Sequence, residues 1–164
     1  MDRTLLSLYV HVPVVTLWIG LVMLDVYATL VPGLEPGQRE RMITWSRPLT
    51  ILAIVVILVT GVWQTMENPL QPGIRSYAEL EKLRENTYGL ALFWKHGFVL
   101  ATFGLTLLVR FFLAPRMGAD VTASDGGAAV AAPRLQMVRW LSLLNLAACA
   151  GALVMTTLMI WQLH

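Results

Sequence analysis

The chain has 164 residues, of which 57% are hydrophobic and only 13% charged, and its formal net charge is +2. Soluble domains balance apolar and charged residues more evenly, so this composition excludes an ordinary soluble domain and indicates an integral membrane protein. The small net charge gives no indication of nucleic-acid binding. The single cysteine, Cys149, excludes an intramolecular disulfide and a CxxC metal or redox motif.

Four apolar segments are long enough to cross a bilayer, which takes about 20 residues of helix. Such spans must be helical because lipid offers no hydrogen bonds to the backbone. The sequence therefore predicts an all-α fold, a four-helix transmembrane bundle that forms one integral membrane domain over residues 1–164. The predicted helices are residues 5–31, 47–65, 89–113 and 136–163. The first is expected to be a retained helix, because its apolar run is too long for a signal peptide.

The connections between the predicted helices carry helix-breaking and flexible sequences. Clusters of proline and glycine at 32–37 and 68–73 end the first and second helices. Residues 76–84 combine leucines with charged residues and predict a short amphipathic surface helix. Residues 117–133 are rich in Gly, Ala, Ser and Asp and are expected to form a flexible loop.

The distribution of lysine and arginine predicts the orientation of the bundle. Seven arginines lie in or beside the first and third connections, namely Arg39, Arg41, Arg47, Arg110, Arg116, Arg134 and Arg139. The basic residues of the opposite side are Arg3, Arg75, Lys82 and Arg84. Because positive charge is enriched in cytoplasmic loops, we expect the first and third connections inside and both termini outside, an N-out and C-out topology.

Three side chains of the first helix, His11, Trp18 and Asp25, recur every seven residues and therefore share one face. An aspartate against lipid is costly, so this face is predicted to point into the bundle. His11 then either hydrogen-bonds a neighbouring helix or acts as a ligand. In the predicted topology it lies roughly 10 Å below the outer end of its helix.

The third helix carries a second histidine, His96, directly after Lys95. Adjacent helical residues point about 100° apart, so the two cannot point at the same place, and either one is the candidate for the bundle interior. His96 lies about 10–12 Å from the start of its helix, a depth similar to that of His11. Two imidazoles that face each other across a bundle can hold a haem iron axially or bind copper.

Other side chains in the same half of the bundle are candidate cofactor contacts. Met155 and Met159 lie four residues apart on the fourth helix and would add thioether ligands that favour Cu(I). The alternative is that both are filler, since methionine is common in apolar helices. Trp18 and Trp94 either line a cofactor pocket or pack in the core.

Several polar and small residues are expected to have structural roles. Arg47 is interpreted as an interfacial arginine that sets topology, and Asn145 and Ser142 as hydrogen-bonding groups between helices. Small residues four positions apart, Ala147 with Gly151 and Ala148 with Ala152, allow a neighbouring helix to approach closely. The sequence contains no Walker-type glycine loop and no serine or cysteine beside a base, which argues against a hydrolase or NTPase.

The polar positions resemble those of the copper resistance protein D (CopD) family of membrane domains. His11 is followed by Trp18 and Gly20, similar to the family's His-x6-Trp-x-Gly opening, with Leu21 in place of a second glycine. Further similar positions in the second and third helices are Arg39–Arg47, Thr60-Gly61, Tyr88-Gly89, Lys95 and Arg110.

This resemblance implies a four-helix domain of the bacterial inner membrane that binds or transports copper. An enzymatic activity is less expected than binding or transport. It implies His11 and Lys95 as the matching polar positions, whereas His96 matches no position of the family. We expect a copper site around His11, with His96, Met155 and Met159 as further candidate ligands. The expected partners are the bilayer, a periplasmic copper carrier or other membrane subunits.

A second resemblance is to the HemJ-type protoporphyrinogen oxidase, a haem-binding membrane enzyme with a similar His-x6-Trp opening and an intramembrane lysine. The chain lacks that family's Leu-Pro-Arg run and its second histidine after the first helix. The resemblance implies haem b, with His11 and His96 as axial ligands, in electron transfer or porphyrin oxidation. A third hypothesis is a structural subunit of a larger respiratory or photosynthetic complex, whose polar residues only fix helix packing.

Overall fold

A computed structural model describes residues 3–66, 87–117 and 127–161, and these ranges are helical apart from short connections, with no β-strand among them. The helices are α1 (Arg3–Leu30), α2 (Pro36–Thr44), α3 (Arg47–Met66), α4 (Thr87–Leu107) and α5 (Gly127–Trp161). Four helical stretches are long and apolar enough to cross a membrane. The predicted all-α fold is confirmed for the described residues, and so are four helices with the length and composition of membrane spans.

The connection between α1 and α3 contains a helix that was not predicted. α2 begins at Pro36, and proline is favoured at the first helical position because its missing N–H needs no partner there. Glu35 and Gln38 form a capping box, in which Gln38 Oε1 accepts a hydrogen bond from the Glu35 backbone N–H. The Glu-Pro-x-Gln signal was therefore present in the sequence, in a segment otherwise assigned to a loop.

The helices around the third connection are longer than predicted. α4 continues through a π-helical segment, Leu108–Leu113, and the span reaches Met117. α5 begins at Gly127, so residues 127–133 are helical although they were assigned to a flexible loop. The alanines of this stretch explain the difference, because alanine has the highest helix propensity. The rest of that loop, 118–126, and the predicted amphipathic helix at 76–84 lie outside the described residues.

The four long helices pack in the order α3, α1, α5, α4, with α2 lying against α1. We call the end of the bundle that holds the starts of α1 and α4 the first end, and the opposite end the second end. A central apolar cluster draws side chains from all four helices, namely Trp18, Val22, Ala53, Ile57, Phe103 and Cys149. Two further clusters lie on either side of it, around Met159 at the first end and around Val138 at the second end.

Helices α4 and α5 pack tightly against each other at Gly151. A Cβ atom added to this glycine would lie 3.0 Å from the Phe98 ring. Helices in lipid gain no hydrophobic energy by meeting, so they depend on van der Waals packing through small residues. The predicted role of the small residues near Gly151 is confirmed.

Candidate functional site

The bundle contains a buried ion pair at its second end, between Asp25 of α1 and Arg110 of the π-helical segment. Arg110 Nη2 lies 2.7 Å from Asp25 Oδ1, and Nε donates to Oδ2 at 3.0 Å. The two side chains are 1% and 0% exposed. This two-pronged geometry is the strong form of an arginine–carboxylate interaction.

The remaining N–H groups of Arg110 also have acceptors. Nη1 donates to the hydroxyls of Ser46 and Thr50, and Nη2 donates to the Leu21 carbonyl at 2.8 Å. Together with the two bonds to Asp25, the five N–H groups of the guanidinium are satisfied. The prediction that Asp25 faces the bundle is confirmed, whereas the assignment of Arg110 to a surface connection is wrong.

The π-helical segment leaves the carbonyl of Arg110 without a backbone partner. The N–H of Ala114 bonds to the Val109 carbonyl instead, and the next residue, Pro115, has no N–H. Arg47 supplies the missing hydrogen-bond donors, since its Nε and Nη2 donate to the Arg110 carbonyl at 3.0 and 2.7 Å. Its guanidinium also lies over the Phe111 ring. Arg47 was interpreted from the sequence as an interfacial arginine, and in the structure its partly buried side chain also caps a backbone carbonyl of a neighbouring helix.

A second arginine of the predicted surface loop, Arg39, is also buried at 7% exposure. Its guanidinium donates to the carbonyls of Ala28, Val31 and Leu34, near the carboxyl end of α1. The last carbonyls of a helix lack partners within the helix, and a cation there also complements the helix dipole. Arg39 thus ends α1 and holds α2 against it.

A polar network joins α4 to α5 in the middle of the bundle. The Thr102 hydroxyl donates to Asn145 Oδ1, and Asn145 Nδ2 donates to the Thr106 hydroxyl at 2.8 Å. The Cys149 sulfur lies 3.2 Å from the Thr102 hydroxyl. The prediction that Asn145 forms hydrogen bonds between helices is confirmed. Ser142 Oγ, in contrast, has no hydrogen-bond partner within the described ranges.

At the first end, the imidazole of His11 contacts α3. Its Nδ1 lies 2.6 Å from the Thr60 hydroxyl oxygen, and that hydroxyl donates its own proton to the Val56 carbonyl at 2.6 Å. Since the threonine proton is used, Nδ1 carries the proton of the His11–Thr60 bond. Nε2 then keeps its lone pair, which is the state of a histidine that serves as a metal ligand.

Polar side chains of the same two helices surround this bond. Gln64 Nε2 donates to the Ser7 hydroxyl at 3.2 Å, and that hydroxyl lies 3.4 Å from the Thr60 carbonyl. A Cβ atom at Gly61 would be 3.7 Å from His11 Cε1, so the ring lies directly beside the backbone of α3. The half-buried imidazole is therefore fixed in position and orientation.

The side chains of Lys95 and His96 take different directions. Lys95 is partly buried. His96 is exposed, and its Nδ1 lies 2.8 Å from the Leu92 carbonyl of its own helix. Lys95 is thus the more buried of the two side chains, and no described hydrogen bond joins the two histidines.

The remaining predicted site residues have apolar neighbours. Met159 is buried and Met155 partly buried in the apolar cluster with Ala91 and Leu92. Trp18 packs edge-on against Phe103, with ring centroids 5.0 Å apart. Its buried Nε1 has no hydrogen-bond partner among the described residues. The exposed Trp94 stacks near Phe93 and Phe98 on the surface of α4.

We tested the fit of these residues to a copper or haem site. Among the described residues, no group of three or more His, Cys, Asp or Glu side chains is arranged to hold a metal ion. One donor, Nε2 of His11, has the protonation state and the fixed orientation that a ligand needs. The other candidate ligands lie on α4 (His96) and α5 (Met155 and Met159), at the same end of the bundle.

The sequence contained a signal for the Asp25–Arg110 ion pair. Asp25 lies about 21 Å along α1 from His11, and Arg110 lies about 21 Å along its helix from His96, so the two charges were at matching depth. Ser46 and Thr50 gave no such signal, since single hydroxyls are common in membrane helices.

Comparison of the chain with family models, with curated proteins and with solved structures gives no match.

Proposed function

We propose that the chain is a copper-handling integral membrane protein that binds the metal through Nε2 of His11. The supporting observation is the hydrogen bond from Nδ1 to Thr60, which fixes the ring and leaves Nε2 as the donor atom. Imidazole nitrogen is a suitable ligand for copper in either oxidation state. In this proposal copper is the cargo, and the protein binds or transports it without catalysing a reaction.

Further ligands come from the first end in this proposal. The thioethers of Met155 and Met159 lie at that end of α5 and are the soft donors that favour Cu(I). His96 supplies an imidazole on the exposed side of α4. Binding at His11 would bring one or more of these donors onto the same metal ion.

We propose the bacterial inner membrane as the location, with both termini on the outer side. In that orientation the first end faces outward and His11 is accessible to copper delivered by a periplasmic carrier. The four apolar spans are compatible with this multi-pass arrangement.

The alternative is a haem b protein, and one observation favours it. Lys95 is a partly buried cation at the same end of the bundle, which would repel a bare metal cation but would attract the propionate groups of a porphyrin. His11 would then be an axial ligand, with His96 as the second. Haem would supply one-electron transfer, and the residues of the chain would bind and orient it.

The decisive experiment is an absorption spectrum together with metal analysis on the same detergent-purified sample. Copper that is lost in His11→Ala and kept in Thr16→Val supports the proposal, because Thr16 is an exposed residue of the same helix. A Soret band with equimolar iron, lost in His11→Ala, would assign haem instead. Unchanged metal content in His11→Ala, or neither cofactor in folded protein, would overturn both and favour a structural subunit.

A further inference from the structure

The hydroxyl of Ser142 is the clearest unexplained polar group of the bundle. The residue is 1% exposed, and its Oγ has no hydrogen-bond partner in the described parts of the chain. A buried hydroxyl without a partner loses its bonds to water and gains nothing in return. Most buried polar atoms in proteins have a partner in the protein or in ordered water.

The helix contacts on either side place Ser142 at the level of the ion pair. Four residues before it, Val138 belongs to the cluster that contains Ala28 of α1. Seven residues after it, Cys149 packs in the cluster that contains Trp18 of α1. Because α1 and α5 run antiparallel, a position between these two contacts lies opposite the turn of α1 that carries Asp25.

The same reasoning on α4 places Ser142 beside Thr106. Val138 belongs to the cluster that contains Val109, and Asn145 bonds to Thr106. Ser142 lies between Val138 and Asn145 and therefore faces the turn of α4 between Thr106 and Val109. Three polar groups from three helices thus converge at one level of the bundle.

These groups have unused hydrogen-bonding capacity. Asp25 accepts one bond from Arg110 on each carboxylate oxygen, and an ionised carboxylate has about four acceptor sites. The Thr106 hydroxyl accepts from Asn145, and its own proton has no acceptor among the described residues. Ser142 can both donate and accept.

We propose that a buried water molecule bridges Ser142, Thr106 and Asp25. It donates to the Asp25 carboxylate and to Ser142 Oγ, and accepts from the Thr106 hydroxyl. Buried waters typically make about three such bonds, which matches the groups available. The water joins the Asn145 network to the ion pair and so forms one hydrogen-bonded path inside the bundle. The path runs from Cys149 through Thr102, Asn145, Thr106 and Asp25 to Arg110, Ser46 and Thr50.

The first test is a high-resolution structure of the full chain in a lipid phase. We expect solvent density at about 2.6–3.2 Å from Ser142 Oγ, within reach of Thr106 and Asp25. Absence of that density, at a resolution that shows other buried waters, overturns the proposal. This measurement uses the unchanged protein and does not depend on how a variant folds.

The second test is thermal unfolding of Ser142→Ala in detergent. If the hydroxyl is bonded to water, its removal leaves the water short of a partner and lowers Tm by about 2–4 °C. If the hydroxyl is dry, its removal relieves an unpaired group, and Tm rises or stays the same, which contradicts the proposal. Thr157→Ala is the control, because Thr157 is exposed and bonds only to the Leu153 carbonyl of its own helix.

Discussion

At the scale of single residues, the bundle contains charged side chains with and without a counter-charge. Asp25 and Arg110 neutralise each other and have hydrogen-bond partners for every guanidinium N–H. Lys95 is partly buried and is part of no ion pair among the described residues. The buried ion pair joins two helices of the bundle.

The ion pair gives a prediction about stability. Asp25→Ala leaves the buried guanidinium without its counter-charge, and we expect a loss of about 3–5 kcal/mol in the free energy of unfolding. The double variant Asp25→Leu with Arg110→Met should be more stable than either single variant, because no uncompensated charge remains. Thermal unfolding in detergent measures both effects. The control is Arg41→Ala, at an exposed arginine, and equal Tm values for Asp25→Ala and this control would contradict the prediction.

The His11–Thr60 bond gives a prediction about metal binding, which depends on the proposed function. Thr60→Val removes the acceptor that holds the proton on Nδ1, so the orientation and tautomer of the ring are no longer fixed. Loss of such an outer partner typically lowers metal affinity about 10–100-fold. Titration of copper into the purified variant measures the change. An affinity equal to that of Thr16→Val would show that Thr60 does not orient a ligand.

At the scale of helices, the π-helical segment Leu108–Leu113 and the side chain of Arg47 depend on each other. The segment places Arg110 toward Asp25 but leaves a backbone carbonyl without an N–H partner, and Arg47 supplies the missing donors. Such π-helical turns are rare and frequently lie at functional sites. Here the turn positions the buried ion pair, while Pro115 prevents the backbone from closing the gap.

A double-mutant cycle tests this dependence. Arg47→Ala should destabilise the protein by about 1–3 kcal/mol, since the Arg110 carbonyl loses its partners while it remains buried. Pro115→Ala restores a backbone N–H at the position where the carbonyl needs one. Arg47→Ala should therefore cost less in the Pro115→Ala background, as measured by thermal unfolding of the four proteins. Strictly additive effects would mean that the two residues do not serve the same carbonyl.

The α4–α5 contact gives a prediction about packing. Gly151→Ala places a methyl group 3.0 Å from the Phe98 ring, so the ring or the helix must shift. We expect a loss of about 1–3 kcal/mol, which Phe98→Leu should relieve in the double variant. Gly20→Ala is the matched control, because a methyl group at Gly20 has no neighbour within 4 Å. If Gly151→Ala were as stable as this control, α4 and α5 would accommodate the methyl group without a loss in the free energy of unfolding, which would contradict the prediction.

At the scale of the whole molecule, the structure changes the meaning of the arginine distribution. Of the seven arginines assigned to the first and third connections, Arg39, Arg47 and Arg110 bond to groups inside the protein. The proposed orientation therefore counts arginines whose side chains bond to the protein itself, and it rests on the full number of arginines in and beside these connections.

Labelling of introduced cysteines tests the orientation. In a Cys149→Ser background, single cysteines at positions 122 and 164 should react differently with a membrane-impermeant maleimide in intact cells. We expect label at 164 and not at 122, since an N-out, C-out topology places the third connection inside. The reverse pattern would invert the orientation and move His11 to the cytoplasmic half. Permeabilised cells, in which both positions should react, provide the control.

The sequence by itself determined the class of protein, the number of membrane-spanning helices and the inward face of α1. These features depend on local properties, namely the length of each apolar run and the spacing of residues along one helix. Asp25 could be placed inside because its charge is too costly against lipid. Even the small residues near Gly151 indicated a close helix contact before the partner, Phe98, was known.

Only the tertiary structure decided which charged groups meet. A choice between Lys95 and His96 depends on the rotation of α4 about its axis, which the packing against α5 sets and the apolar sequence of α4 does not. The roles of Arg39, Arg47 and Arg110 depend on distances between different helices and on a π-helical turn that no local pattern predicted. An arginine beside a membrane span has the same local sequence whether its guanidinium reaches water or a carbonyl of another helix, so its partner is fixed only when the helices pack.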